Sequence, residues 1–203
     1  LSVFEELFGI RFIFVCTLCF GVYTLAADFI TLWIGGEYVL DNLTLALMVA
    51  TLYISLSRST VDAFIAAYGL YGDIWAPIVE ASINIGLSVL LGYFYGLHGI
   101  LAGVFISLFL VIFCWKPIWL FHYGFQTTLW QYVRMYAKYI IFGCMIWIIS
   151  ANMYNLIKIE TGTITALIVN LCSASGIFCF VATSVVIFLN KDIRHRLNIF
   201  SLH

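Results

Sequence analysis

The chain has 203 residues, of which 64% are apolar, 18% aromatic and only 9% charged. Soluble domains run at about 45–50% apolar and about 25% charged, so no water-soluble core of this size hides that much apolar surface. A net charge of −1 excludes a nucleic-acid partner held by bulk basicity, and a mean hydropathy of +1.09 predicts an all-α, polytopic membrane helix bundle.

A helix needs about 20 mostly apolar residues to cross a hydrocarbon core about 30 Å thick. About six segments are candidates in chain order, the fourth of them short for a span. The first covers residues 7–34 and stops at Gly35-Gly36. The second covers 43–67 and stops at Tyr68-Gly69. The third, 77–95, opens on Pro77, a residue suited to a first helical turn. Gly96-Leu97-His98-Gly99 joins it by a tight hairpin to a fourth, 100–115, which ends before Lys116-Pro117. The fifth covers 136–153 and the sixth 163–189. Between the fourth and fifth, the stretch 116–138 reads as an amphipathic linker carrying Trp119, Phe121, Tyr123, Phe125, Trp130, Tyr132 and Tyr136, rings that favour the headgroup layer. All of residues 1–203 are read as one transmembrane domain. The chain opens at Leu1 with no methionine and no signal-peptide pattern, which predicts a fragment of a longer protein.

Lysine and arginine report orientation. With six spans both chain ends share one side, which then holds Arg11, Lys116, Arg134, Lys138, Lys191, Arg194 and Arg196. The other side holds Lys158 with Glu37, Asp41 and Glu160. Both ends are therefore expected in the cytoplasm.

An ionisable residue at a helix centre costs about 2.5–3.5 kcal/mol on insertion scales and marks a functional site by default. The second segment carries Arg58 and Asp62 at i,i+4, with Thr51 and Ser55 continuing that face. The third repeats the pattern with Glu80, Asn84 and Ser88. Two neighbouring polar stripes point to a shared internal surface. Each residue also has a structural reading: Arg58 and Asp62 neutralise each other, Glu80 favours a helix N-terminus, and Asn84 and Ser88 bond between helices. Arg11 sits near the cytoplasmic mouth, where its stem can snorkel. Asp28 lies deeper on the same segment, toward the outer interface.

Other chemistries lack their residues. His98, His122, His195 and His203 are scattered and have no metal-ligand spacing. The six cysteines all lie in apolar runs, where they behave as small hydrophobes rather than a disulfide framework. Gly99-x-x-x-Gly103 is a helix-packing surface, and no Walker A lysine motif occurs. No catalytic residue, metal or cofactor is predicted.

Three runs of residues carry a resemblance. Phe29-Ile30-Thr31-Leu32-Trp33-Ile34-Gly35 with Glu37-Tyr38 resembles a helix end in bacterial polysaccharide flippases, within the multidrug/oligosaccharidyl-lipid/polysaccharide exporter superfamily. Ala76-Pro77-Ile78-Val79-Glu80-Ala81-Ser82-Ile83-Asn84 is similar to that family's helix start. Tyr95-Gly96-Leu97-His98-Gly99-Ile100-Leu101-Ala102-Gly103, with Ser107, is similar to its hairpin. Arg58 and Ala67-Tyr68-Gly69-Leu70 fall where such proteins carry a basic residue and then a turn. The series spans about residues 29–139, and the last two segments add only hydropathy.

The resemblance implies a translocase for polyprenyl-diphosphate-linked oligosaccharides in O-antigen, capsule or exopolysaccharide assembly, at the bacterial cytoplasmic membrane. Family members have two lobes around a central cavity, so this chain looks like most of a C-terminal lobe. Its partners would be the lipid-linked oligosaccharide, the lipid bilayer, the missing N-terminal lobe and polysaccharide polymerase or assembly proteins, with no nucleic acid. Arg58 and Arg11 would meet the diphosphate, since guanidinium binds phosphate bidentately. Asn84, Ser88, Ser55 and Tyr53 would offer hydrogen bonds to sugars, and Asp62 or Glu80 a coupling-ion site. Two rivals stand beside this: a drug/cation antiporter of the same superfamily, and a non-transporting scaffold in a polysaccharide assembly complex.

Overall fold

A computed structural model describes residues 2–159 and 163–189. The described residues form helices and short connections without a strand. Helix α1 runs Ser2–Trp33, followed by a 3₁₀ turn at Gly36–Tyr38 and α2 at Asn42–Ala67. A second 3₁₀ turn, Tyr71–Trp75, leads into α3, Ala76–Leu108. Helical backbone then continues through π-helical turns at Phe109–Trp115, α4 at Lys116–Trp119 and π-helical turns at Leu120–Phe125. Helices α5, Leu129–Ile157, and α6, Ile164–Leu189, complete the bundle. Five segments are long and apolar enough to cross a membrane, and the third of them, Ala76–Phe125, is a hairpin.

The hairpin turns at one residue. Gly96 has φ 59° and ψ −135°, inside what would otherwise be continuous helix. That positive φ belongs to glycine. The two arms, residues 76–95 and 97–125, then run antiparallel with their backbones in contact. A side chain at Gly99 would strike the Leu91 carbonyl, and one at Gly103 would come within 2.6 Å of the Ser88 nitrogen. In a straight helix, positions 88 and 100 would lie about 18 Å apart. Here the Ser88 hydroxyl lies 3.3 Å from the Ile100 carbonyl oxygen. The Gly99-x-x-x-Gly103 surface thus packs the chain against its own preceding turns, as small residues do wherever helices meet without a hydrophobic driving force.

The other segments assemble around α1. One core cluster joins α1, α5 and α6 through Phe12, Phe20, Ile146, Phe178 and the small Ala174 and Ala182. A second joins α1, α2, the end of the hairpin and α5 through Phe4, Phe8, Val61, Ile65, Leu120, Phe121, Tyr132 and Tyr136. Large apolar side chains also face outward, among them Ile10, Phe14, Val89, Tyr93 and Leu156. In water such a surface would drive association. In a bilayer it faces a solvent of its own polarity, so the interior is free to hold the polar groups.

Several boundaries differ from the sequence reading. The fourth segment does not end at 115, and α5 begins at Leu129 rather than 136. The expected linker over 116–138 is therefore mostly helix. Two physical reasons account for it. The Lys116 ammonium has a carboxylate partner within the bundle, so the segment need not end where its charge occurs. Pro117 lacks an N–H and crowds the preceding turn, and the π-helical turns on either side of α4 absorb that mismatch. The second arm, about 43 Å long at 1.5 Å per residue, overshoots the hydrocarbon core, and its extra turns bury Leu120 and Phe121 beside Phe4.

Candidate functional site: a charge cluster between α2 and the hairpin

Four ionisable side chains meet between α2 and the hairpin. On α2, Arg58 Nε donates to Asp62 Oδ2 at 2.9 Å, one helical turn apart. From the hairpin's first arm, Glu80 Oε1 stands 3.7 Å from Arg58 Nη1. From its second arm, Lys116 Nζ bonds the other Asp62 oxygen, Oδ1. Asp62 is thereby shared by two cations, while Arg58 is shared by two carboxylates. The formal charge of the four groups sums to zero.

Depth makes the cluster costly unless it is paired. At about 1.5 Å rise per residue, Asp62 and Arg58 lie roughly 8 and 14 Å inside the C-terminal end of α2. The Lys116 side chain is 7% exposed and Glu80 16%, while Arg58 and Asp62 are each about one-third exposed. The accessible edge of the cluster thus belongs to Arg58 and Asp62, and its buried edge to Lys116 and Glu80. Glu80 Oε2 is buried without a hydrogen-bond partner, leaving one acceptor in the cluster unsatisfied. A charge-assisted bond there would be stronger than a neutral one.

The remaining sequence candidates fall into different places. Ser55, one turn before Arg58, is half-buried on the same face of α2, and Thr51 Oγ1 beyond it is buried without a partner. Asn84 continues the Glu80 stripe, but its Oδ1 accepts from Ser88 at 3.0 Å. That Ser88 hydroxyl also reaches the second arm's backbone, so Asn84 and Ser88 serve the hairpin's closure. The Tyr53 hydroxyl lies 3.1 Å from that of Tyr136. Arg11 is exposed on α1 and belongs to none of the cluster's pairs.

Lys116 is the member that sequence reasoning placed elsewhere. The signal was a lone lysine within an unbroken apolar run, but the following proline reads as a stop. Its partner lies 54 residues earlier in the chain, and no local pattern joins them.

An ion pair and a histidine–carboxylate hydrogen bond tie the opposite end of the bundle. Lys158 Nζ, just past α5, sits 3.0 Å from Asp28 Oδ2 on α1. His98 Nε2, beside the hairpin turn, lies 2.9 Å from Asp41 Oδ2. Asp41 also caps α2, accepting from the Thr44 backbone N–H and hydroxyl. The Thr44 hydroxyl, and then His98, hold the Asp41 carboxyl well below the usual carboxylate range. The buried Asn170 brackets Ile159 by bonds to both its N–H and its carbonyl, which fixes the approach to α6. Lys191, Arg194, Arg196, Glu160, His195 and His203 lie outside the described residues.

No family model, curated protein or solved structure matches this chain.

Proposed function

We propose that this chain is one lobe of a transporter that moves polyprenyl-diphosphate-linked oligosaccharides across a bacterial cytoplasmic membrane, for O-antigen, capsule or exopolysaccharide assembly. The observation that carries the reading is the placement of Arg58. It lies in the middle of the ordered series of flippase-like motifs over residues 29–139, and its guanidinium edge is accessible at membrane depth.

The cargo has an apolar tail, a diphosphate and a sugar headgroup, and only the last two need a polar path. The tail stays in lipid. A diphosphate arriving at the exposed edge meets Arg58, whose 3.7 Å contact with Glu80 is looser than its 2.9 Å bond to Asp62. The looser contact yields first, which frees guanidinium donors for a bidentate phosphate contact. Lys116 compensates Asp62 from the buried side and limits the repulsion between that carboxylate and the incoming anion. Ser55, half-buried on the face that carries Arg58, supplies a hydroxyl partner for sugars, whereas Asn84 and Ser88 bond within the hairpin and the Tyr53 hydroxyl faces Tyr136. The wall opposite comes from the missing N-terminal lobe. The Lys/Arg asymmetry of the sequence supports a cytoplasmic location for both ends of the chain, and in that orientation the charge cluster lies toward the cytoplasmic half of the bundle.

A drug/cation antiporter of the same superfamily is the second reading. It is favoured by the unsatisfied Glu80 oxygen beside a second carboxylate. Deleting the intact gene separates the two. The flippase reading expects surface polysaccharide to disappear with drug susceptibility unchanged. Loss of cationic-dye efflux with intact surface glycan would overturn it in favour of the antiporter. No change in either would leave a scaffold.

A further inference from the structure

A second site lies on the other side of α2. Helices α1, α2 and α5 and the hairpin's second arm enclose a cavity of about 840 Å³, within the range of about 300–1,000 Å³ typical of small-molecule sites. Its walls are almost wholly apolar and include Cys16, Val49, Phe109, Ile140 and Cys144. Phe109 and Ile140 are 43% and 48% exposed, so the cavity opens sideways between the second arm and α5. That mouth faces lipid in a membrane-spanning bundle.

Two cations lie next in sequence to the α5 residues that line this cavity, outside its apolar wall. Arg134 and Lys138 stand at i,i+4 and are exposed, flanking the stripe through Val133, Ala137 and Ile140 that lines the cavity. Among the described residues neither has an ion-pair partner. Gln131, one turn before Arg134, lines a separate polar hollow of about 580 Å³ with His122, Gln126, Thr127 and Thr128. Arg134 and Lys138 lie about 8 and 14 Å along α5 from its first residue, a depth from which both side chains can snorkel to the interface. An apolar slot on a helix that also carries two exposed cations, unpaired among the described residues, complements one kind of occupant. It fits a chain with an anionic phosphate head.

We infer that this groove is a binding site for an anionic glycerophospholipid of the bilayer, with an acyl chain in the apolar cavity and the phosphate between Arg134 and Lys138. Basic pockets between transmembrane helices bind anionic headgroups in this way. The site is separate from the Arg58 cluster and does not depend on the transport reading. A lipid held there would fill the gap between the second arm and α5, which otherwise meet through ring contacts such as Phe113 with Tyr136.

The test uses the full chain in phosphatidylcholine vesicles doped with phosphatidylglycerol bearing a photoreactive acyl chain. Crosslinks are expected to concentrate in residues 105–114 and 133–148. Excess unlabelled phosphatidylglycerol should displace them and phosphatidylcholine should not. Each basic residue near an anionic lipid is worth roughly a factor of five, so Arg134→Ala with Lys138→Ala should cut labelling by about tenfold or more. Ala137→Phe, which fills the cavity and keeps both cations, should also reduce it. Labelling spread evenly over outward faces, or labelling indifferent to phosphatidylglycerol, would overturn the site without any variant being needed. Displacement by a polyprenyl phosphate but not by phosphatidylglycerol would assign the groove to the cargo tail and equally reject the inference.

Discussion

On the proposed function, Arg58→Ala is expected to abolish glycan export by the intact protein. The substitution removes the accessible cation and leaves Glu80 facing no positive group, while Asp62 keeps Lys116. The cluster then carries a net negative charge toward an anionic cargo. Arg58→Lys keeps the charge but loses the planar fork that grips phosphate through two bonds, so partial export is expected. The decisive variant is Arg58→Ala combined with Asp62→Ala, which restores neutrality with Glu80 and Lys116 still present. If Arg58 contacts the diphosphate, export stays absent. Recovery of export in the double variant would mean that Arg58 only balances Asp62, and the substrate reading would fall.

Gly99→Leu is the second large effect, and it concerns the fold. A side chain there meets the Leu91 carbonyl, the Leu91 carbonyl carbon and the Gly92 nitrogen. These are backbone atoms, which cannot rotate away. Overpacking where side chains can adjust costs about 1–3 kcal/mol, so a backbone clash is expected at or beyond that range, and folded protein should be lost from the membrane. Gly86→Ala is the control, because nothing lies within 4 Å of a Cβ at that position. It should be neutral or stabilising by up to about 1 kcal/mol, the usual gain of alanine over glycine in a helix. Folded yield in detergent, measured by size-exclusion profile and thermal melting, separates the two. A Gly99→Leu chain that melts with the parent would show that the arms do not meet there.

Much of the bundle was legible because several helix ends have a local cause. Gly35-Gly36, Tyr68-Gly69, Pro77 and the Gly96–Gly99 turn are short-range signals, and the segments between them are long apolar runs. Arg58 with Asp62, and Glu80 with Asn84 and Ser88, were legible as stripes because helical spacing alone puts them on one face. What was not legible depends on tertiary pairing. Lys116 reads as a span's end until Asp62 is found beside it. Ser88 reads as part of a polar wall until the hairpin brings the Ile100 carbonyl to it. The side-chain contacts Asp28–Lys158 and Asp41–His98 join residues 130 and 57 positions apart, beyond the reach of any local pattern. Arg11 was grouped with Arg58 by charge, yet it lies on the exposed face of α1.

In the proposed function, the intact protein carries lipid-linked oligosaccharide between leaflets through a path that includes Arg58. The most direct measurement is the leaflet distribution of polyprenyl-linked repeat units in cells lacking the gene, complemented by the parent or by Arg58→Ala. Repeat units are expected to accumulate in the inner leaflet without the gene and with Arg58→Ala, and to reach the outer leaflet with the parent. An outer-leaflet pool that persists without the gene would contradict the account.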